Sequence, residues 1–218
     1  TQSKIIEEIN VLKKTFYRRI LLSQELRFKD DNGRDFPYWE NHLLGDLGSV
    51  KMCKRIFNDE TSAEGEIPFF KIGSFGKKPD AFISRTKYLD YKERFSYPKK
   101  GDVLISAAGT IGRTVIYNGE DAYYQDSNIV WIDNDNKLVT NDFLYHILQI
   151  VNYNTEGGTI QRLYNNILKL TKFKSPCISE QNKISKFLFS INSKIQVETR
   201  VLKKLELQKK FLMQELLI

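Results

Sequence analysis

The sequence predicts an α+β fold in which a globular domain is inserted between two long helices that pair as an antiparallel coiled coil. Three observations favour this fold. The chain ends in a heptad-spaced helix, opens with a partial copy of that helix, and carries short strand-like runs between them. The 218 residues leave room for one domain of about 150 residues beside the helices. We therefore predict a helix over 1–26, a globular domain over 27–178 and a long helix over 179–218.

The final helix carries the strongest pattern in the sequence. Ser179 is a good N-cap, and neither proline nor glycine follows it. Apolar residues then recur at alternating steps of three and four, the spacing of a coiled-coil seam. At about 1.5 Å per residue the helix would reach roughly 60 Å, which is long for a core helix. The seam consists of Ile184, Leu188, Ile191, Ile195, Leu202, Leu205, Leu212 and Leu216, with Glu198 and Lys209 as polar interruptions.

An internal repeat relates the two ends of the chain. Residues 1–26 align with residues 191–216 without a gap and are identical at twelve positions. Glu8 and Arg19 fall where the two polar interruptions of the final helix fall. Two Lys- and Leu-rich helices could look alike by composition alone, but composition does not explain shared interruptions at the same phase. The repeat therefore predicts that the two helices share one seam.

The repeated charges predict a register for the pair. If facing positions sum to 217, Glu8 meets Lys209 and Arg19 meets Glu198. A slip of one heptad would leave buried charges unpaired, which costs several kcal/mol, whereas a partly exposed ion pair contributes about 0–1 kcal/mol. The predicted interface comprises Ile5, Glu8, Leu12, Arg19, Leu22, Leu26, Ile191, Ile195, Glu198, Leu202, Leu205, Lys209 and Leu212.

Composition narrows the class of protein. An apolar fraction of 41% supports a real core, and no apolar run is long enough to cross a membrane. No signal peptide is visible at the start, and Cys53 and Cys177 are isolated, so we expect a cytoplasmic protein with reduced thiols. His42 and His146 lie far apart without a Cys/His cluster, which argues against a zinc site.

The middle of the chain predicts a mixed domain. Runs rich in β-branched and aromatic residues indicate strands at Val50–Cys53, Ile67–Ile72, Asp102–Ala107, Thr114–Tyr117 and Asn128–Ile132. Amphipathic spacing indicates a helix over Asp142–Val151, capped by Thr140, and a weaker one around Asn166–Leu170. The GTIGR segment over 109–113 reads as a tight turn between two strands, with Gly109 and Gly112 able to adopt positive φ.

Charge is concentrated in a way that favours nucleic-acid binding. The net charge is +7, and residues 71–113 carry ten basic against four acidic residues, interleaved with aromatics. The next stretch, 114–156, carries seven acidic residues and one lysine. A solvated lysine-rich surface would give the same pattern, and a plain hairpin or helix-leading loop would explain the glycine-containing segments at 109–113 and 157–162. The candidate DNA-binding residues are Lys77, Lys78, Arg85, Lys87, Arg94, Thr110, Arg113, Gln161 and Arg162.

Two other functions compete with DNA recognition. Asp80 followed by Asp90 and Lys92 has the order of magnesium-dependent nucleases, but 85–94 looks helical or looped rather than like a strand. A coiled-coil scaffold with a protein-binding head is the second alternative. No phosphate loop or cofactor fingerprint is present, so we predict no catalytic residue and no metal ligand.

Six segments resemble the specificity subunits of type I restriction–modification systems. They are QELRFKDDNGRDFPYWE (24–40), LGDLG (44–48), IPFFKIGSF (67–75), KGDVLISAAGTIGR (100–113), YQDSNIV (124–130) and SPCISEQNKISKFL (175–188). The resemblance covers nearly the whole chain. It implies one target recognition domain flanked by a partial and a complete conserved helix, as in the C-terminal half of such a subunit or in a half-sized subunit.

The resemblance also implies partners. Such a subunit is non-catalytic, reads one half of a bipartite target in double-stranded DNA, and docks two methyltransferase subunits through its helices, with a restriction subunit in the full complex. S-adenosylmethionine, magnesium and ATP would then belong to partner subunits, with no cofactor in this chain and no membrane. A half-sized subunit would form a homodimer. Removal of Arg113, or of Lys77 and Lys78, is expected to weaken DNA binding without lowering the melting temperature.

Overall fold

The computed structural model describes residues 2–153 and 162–215. Of Glu215 only the backbone is described. The described chain divides into two units, one formed by Thr1–Phe36 with Asn182–Ile218 and the other by Pro37–Gln181. The sequence-based prediction placed the junctions after residues 26 and 178. No helix within the described ranges has both the length and the apolarity that crossing a bilayer requires.

The first unit is built on two helices. Helix α1 spans Gln2–Tyr17 and continues as a π-helical turn over Arg18–Leu22, and helix α5 spans Ile178–Glu215. The chain turns at Gln24, which has a φ of 55°, so the helix ends before the predicted Leu26. Helix α5 begins one residue earlier than predicted, which places Ser179 inside the helix and not at its N-cap. The predicted pair of long helices is therefore present.

Contacts between α1 and α5 show an antiparallel arrangement. Phe16 packs edge to face against Phe187, and the Gln2 side chain donates to Glu198, which lies further along α5. Half-buried positions on α5 follow the predicted seam as far as Leu202. On α1 and its π-helical turn, four covered positions lie one residue beyond predicted ones: Ile6, Ile9, Lys13 and Ile20. Gln2, Phe16, Tyr17 and Leu21 are covered as well.

The predicted register is wrong within this chain. Glu198 accepts from Gln2 instead of pairing with Arg19, and Arg19 lies 3.2 Å from Glu25. Phe187 contacts two rings of the first segment, Phe16 and Phe28, at centroid distances of 5.1 Å and 5.7 Å. Each aromatic pair contributes about 0.5–1.5 kcal/mol beyond its buried area, more than an exposed ion pair, so packing decides the alignment.

Much of the predicted interface is therefore not covered in the single chain. Every side chain from Lys203 to Gln214 is exposed. The following predicted seam residues are all about half exposed: Ile5, Leu12, Leu22, Leu205 and Leu212.

The described residues of the second unit form three small sheets. The largest orders its strands β2 (Val50–Met52), β8 (Ile129–Ile132), β5 (Val103–Ser106) and β6 (Thr114–Ile116), all antiparallel. The second orders β4 (Phe82–Ile83), β3 (Ile67–Phe70) and β7 (Tyr123–Tyr124), with β3 and β7 parallel. The third pairs β1 (Glu40–Leu43) with β9 (Lys172–Ser175).

Three α-helices accompany these sheets in the part of the unit that the structure describes. They are α2 (Arg85–Arg94), α3 (Asn141–Ile147) and α4 (Asn165–Leu170). The Thr140 hydroxyl caps α3 by accepting from the backbone N–H of Phe143 at 3.2 Å, as predicted. All five predicted strands are present within one or two residues. Four strands were not predicted: β1, β4, β7 and β9. Of these, β4 and β7 have two residues each, and β9 carries two exposed lysines.

A buried glutamine ties the end of this unit together. Gln181 is fully buried, and its Oε1 accepts from the backbone N–H of Thr140 at 2.9 Å. Its Nε2 donates to the carbonyl oxygens of Leu138 at 3.0 Å and Pro176 at 2.8 Å. A buried amide with all of these hydrogen bonds satisfied specifies one arrangement of the three segments.

Candidate nucleic-acid interface

Several loops emerge at the same end of the largest sheet. In the antiparallel ladder Ser106, the last residue of β5, faces Ile129, the first residue of β8. Met52, the last residue of β2, faces Val130. The segments that follow β2 and β5 and the segment that precedes β8 therefore lie side by side.

Direct contacts join these segments into what we call the loop cluster, defined as residues 71–78, 107–113 and 125–128 with Arg55 and Arg162. The backbone N–H of Ile72 donates to Gln125 Oε1 at 2.9 Å. The N–H of Ala107 donates to the carbonyl oxygen of Asn128 at 2.7 Å, and Ala108 bridges to Arg162. Five pieces of chain thus form one surface.

The loop cluster is strongly basic. It contains six basic residues and one acidic residue, Asp126. Lys77 and Lys78 are exposed, and neither makes an ion pair within the described residues. Arg55 is exposed and lies 2.8 Å from Asp126. An excess of positive charge on one set of loops can neutralise several phosphates.

The predicted turn over 109–113 is confirmed, and it lies within the loop cluster. Gly109 and Gly112 have φ values of 63° and 79°, which favour glycine. The Ser106 hydroxyl accepts from the backbone N–H of Arg113 at 2.9 Å and donates to the carbonyl oxygen of Thr110 at 2.5 Å. This leaves Thr110 exposed at the tip of a turn held from within.

The two arginines predicted to bind DNA in this region are half-buried and hydrogen-bonded within the chain. Arg113 Nη1 donates to the carbonyl oxygen of Phe75 at 2.9 Å. Arg162 Nη2 donates to Ser127 Oγ at 2.9 Å and to Asn128 Oδ1 at 3.3 Å. Both side chains therefore hold loops in place, whatever else they contact.

The structure does not bring the other predicted basic residues into the loop cluster. Arg85, Lys87 and Arg94 lie on α2, which follows β4, and Ile83 at the end of β4 faces Ile67 at the start of β3. The loop cluster instead includes the segment that leaves the other end of β3. The predicted set of DNA-binding residues therefore splits into two groups.

The charges on α2 are also balanced locally. Arg85 pairs with Asp121 at 3.1 Å, Arg94 pairs with Asp90 at 3.0 Å, and Lys87 pairs with Glu60. The hydrogen bond from Lys87 lowers the pKa of Glu60, and those from Tyr88 and then Arg85 lower the pKa of Asp121. Glu60 and Asp121 are distant in sequence from α2, so counting charge in a sequence window missed them.

Gln161 and the glycines at 157 and 158 lie outside the described residues. Conversely, the loop cluster contains residues that were not predicted as candidates, among them Arg55, Lys71, Ser127 and Asn128. The only sequence signal for the last two was their place in the YQDSNIV motif.

The acidic residues of the nuclease alternative have other surroundings. Asp90 lies on α2 and pairs with Arg94, whereas Asp80 lies in the loop before β4. No group of three or more His, Cys, Asp or Glu side chains that could hold a metal ion occurs in the described ranges.

Comparison with known proteins gives a consistent result. Residues 38–207 match the family described as type I restriction modification DNA specificity domain. A curated relative from Haemophilus influenzae, named as type I restriction enzyme specificity subunit S.HindORF215P, is 60% identical over 146 residues, which are 66% of this chain and 38% of the relative. This chain thus spans well under half of that relative.

Solved structures show the same fold. A structure from a study of complex assembly and conformational transition of the type I R-M system matches 98% of this chain and 52% of its own, with a TM-score of 0.65 and 20% identity. The match to the HsdS subunit of Thermoanaerobacter tengcongensis covers 92% of this chain and 47% of that subunit, with a TM-score of 0.58 and 16% identity. The match to the S subunit of a type I restriction-modification system from M. genitalium covers 96% of this chain and 54% of that subunit, with a TM-score of 0.65 and 13% identity.

These matches confirm the predicted α+β fold and the prediction of a non-catalytic specificity chain. With a basic loop cluster at one end of its sheets and a family match over most of its length, this chain belongs to the type I restriction modification DNA specificity domains.

Proposed function

We propose that the loop cluster is the surface with which this specificity domain binds double-stranded DNA and reads one half of a bipartite target. The observation that carries the proposal is that five separate pieces of chain bring six basic residues together against one acidic residue. Exposed Lys77 and Lys78 would contact phosphates and set the position of the domain on the duplex. Exposed Thr110 and the half-exposed 125–128 segment carry the polar groups that reading base edges requires.

Arg85, Lys87 and Arg94 take a smaller part in this proposal. Their charges are balanced by carboxylates, so the surface of α2 has little net positive potential to attract a duplex. Gln161 stays a candidate base or phosphate contact from the sequence.

The helices are proposed to dock the methyltransferase subunits. Support comes from α5, whose residues 203–214 are all exposed and include Leu205, Leu207, Phe211 and Leu212. A row of exposed apolar side chains on a helix is typical of a surface that another chain covers.

S-adenosylmethionine, magnesium and ATP would be bound by those methyltransferase partners and by the restriction subunit. If this is a half-sized subunit, two copies would read an interrupted palindrome. Binding to DNA also favours the predicted cytoplasmic location.

A salt titration tests the proposed function. The chain is titrated with a fluorescent duplex at several salt concentrations, and log affinity is plotted against log salt. DNA binding through the loop cluster predicts a straight line that falls by about 0.9 per phosphate contact. Absence of affinity for any duplex, or an affinity that does not change with salt, would favour the coiled-coil scaffold. Cleavage of the duplex by the purified chain in magnesium, lost on Asp80→Asn or Asp90→Asn, would favour the nuclease.

A further inference from the structure

The 125–128 segment is held at its start by contacts from two other segments. Gln125 Oε1 accepts from the backbone N–H of Ile72 at 2.9 Å. Asp126 Oδ2 lies 2.8 Å from Arg55 Nε and accepts its hydrogen bond. Gln125 Oε1 and Asp126 Oδ2 are thus engaged within the protein, and these contacts fix the start of the segment.

The last two side chains of the segment share one partner, Arg162. Its Nη2 donates to Ser127 Oγ at 2.9 Å and to Asn128 Oδ1 at 3.3 Å. Ser127 has a φ of 50°, a conformation that residues with a side chain adopt rarely and that is concentrated at functional sites. Arg162 therefore stabilises a turn that the backbone alone disfavours.

The contact with Arg162 fixes which hydrogen-bonding groups point outward. A guanidinium can only donate, so the oxygen of the Asn128 amide must face Arg162 and its Nδ2 must face away. Ser127 Oγ accepts from Arg162, so its own proton remains available. Both residues are half-exposed, and no acceptor for either the Asn128 Nδ2 or the Ser127 hydroxyl proton occurs among the described residues.

We propose that Ser127 and Asn128 are base-reading residues, and that Arg162 is a positioning residue that makes them present donors. The inference rests on the proposed DNA-binding function. Donors recognise acceptors, and guanine offers two in the major groove, N7 and O6. Bidentate pairing with adenine requires the Asn128 oxygen, which Arg162 already engages, and the major-groove edge of cytosine offers a donor amine. Adenine N7 and thymine O4 are single acceptors, so guanine is the base that can accept from both donors, and the segment is matched to guanine.

Selection of duplexes from a random-sequence pool tests whether the base that these residues read is a guanine. Duplexes that the unmodified chain binds are selected from random sequence, and each guanine in the selected half-site is replaced in turn by 7-deazaguanine, which lacks the N7 acceptor. We expect one replacement to weaken binding at least about fivefold. We expect one of two variants, Asn128→Ala or Ser127→Ala, to bind the original duplex correspondingly more weakly and to be indifferent to that replacement, since it removes the same contact to N7. If no guanine is sensitive, or if both variants stay sensitive, the proposal is wrong.

A variant that replaces the outward hydrogen-bond donor of Asn128 by an acceptor gives a second test. In Asn128→Asp the side chain keeps its shape and can still accept from Arg162, but its outward atom becomes an acceptor. Selection with this variant should replace the sensitive guanine by cytosine, whose amine can donate to a carboxylate. An unchanged selected sequence would contradict the proposal. Ser127→Ala is tested in the same assay, so the proposal does not depend on the folding of one variant.

The slope of log affinity against log salt shows whether Arg162 positions the two readers or contacts a phosphate. If Arg162 positions the two readers, Arg162→Gln should lose discrimination between guanine and 7-deazaguanine with an unchanged slope. If Arg162 contacts a phosphate, the slope should become shallower by about 0.9 with discrimination retained, which would overturn the positioning role. Failure of the unmodified chain to bind any duplex would instead overturn the proposed function itself.

Discussion

The ring of Phe16 on α1 meets the ring of Phe187 on α5 edge to face, with centroids 5.1 Å apart and planes at 87°. Phe28 approaches the same ring of Phe187 at 5.7 Å. Together with the hydrogen bond from Gln2 to Glu198, this cluster sets how far α1 lies along α5. The alignment differs from the one that the repeated charges predict, in which Leu12 would face Leu205.

Crosslinking distinguishes the two alignments. In a chain whose natural cysteines are replaced by serine, Gln2→Cys with Glu198→Cys should be joined within one chain by a short bismaleimide, because these side chains are in hydrogen-bonding contact. Leu12→Cys with Leu205→Cys is the matched control and should not be joined within one chain. The products are separated by mass. Efficient intrachain linkage of the control pair, with none between positions 2 and 198, would restore the charge-based register.

Replacing two exposed lysines should weaken DNA binding without affecting the fold. The double variant Lys77→Ala, Lys78→Ala removes two charges that have no ion-pair partner among the described residues, so the salt slope should become shallower by up to about 1.8. The melting temperature should stay unchanged.

The matched control for the lysine pair is Arg94→Ala. It removes a charge on α2 that Asp90 already balances, and it should leave both affinity and slope unchanged. A larger loss of affinity from the α2 variant than from the lysine pair would move the interface to α2.

Arg113→Ala should lower stability as well as DNA affinity, contrary to the expectation from the sequence. Arg113 Nη1 donates to the carbonyl oxygen of Phe75, and a hydrogen bond from a charged group contributes about 1.5–3 kcal/mol. We expect a lower free energy of unfolding by denaturant titration, with a loss of that order. An Arg113→Ala chain as stable as the unmodified one would show that this hydrogen bond is not maintained in solution.

Gly48→Ala should be far more destabilising than Gly33→Ala. Gly48 has a φ of 150°, and a Cβ there would overlap the backbone oxygen of Asp133, next to the hydrogen bond from the Asp133 N–H to the Ser49 carbonyl oxygen. We expect a loss of more than about 2 kcal/mol, since backbone must move. Gly33 has a φ of 78° with nothing within 4 Å of its Cβ position, so only backbone strain of about 1 kcal/mol is expected there. Equal losses in thermal melts would contradict this.

The two thiols should differ sharply in reactivity. Cys53 is buried, and burial raises the pKa of its thiol to about 12, so the thiol stays protonated at pH 8. Cys177 is exposed. Alkylation of the folded chain at pH 8 should label one thiol quickly, and Cys177→Ser should abolish that phase, whereas both thiols should react after unfolding. Rapid labelling of two thiols in the folded chain would show that Cys53 is accessible.

The sequence by itself determined the elements whose signals are local. The seam of α5 as far as Leu202, the cap at Thr140 and the turn over 109–113 were all predicted, because spacing, side-chain capping and glycine φ preferences act over a few residues. The fold class followed from the order of these elements.

Only the tertiary structure decided which distant residues meet. Two of the acids that balance α2, Glu60 and Asp121, come from other segments. The partner of Arg162 is the 125–128 segment, and Phe187 aligns the helices against the register of the charges. Such pairings depend on the packing of whole surfaces, in which aromatic contacts contribute more than an exposed ion pair. A sequence pattern over a few residues does not show which of these distant contacts will form.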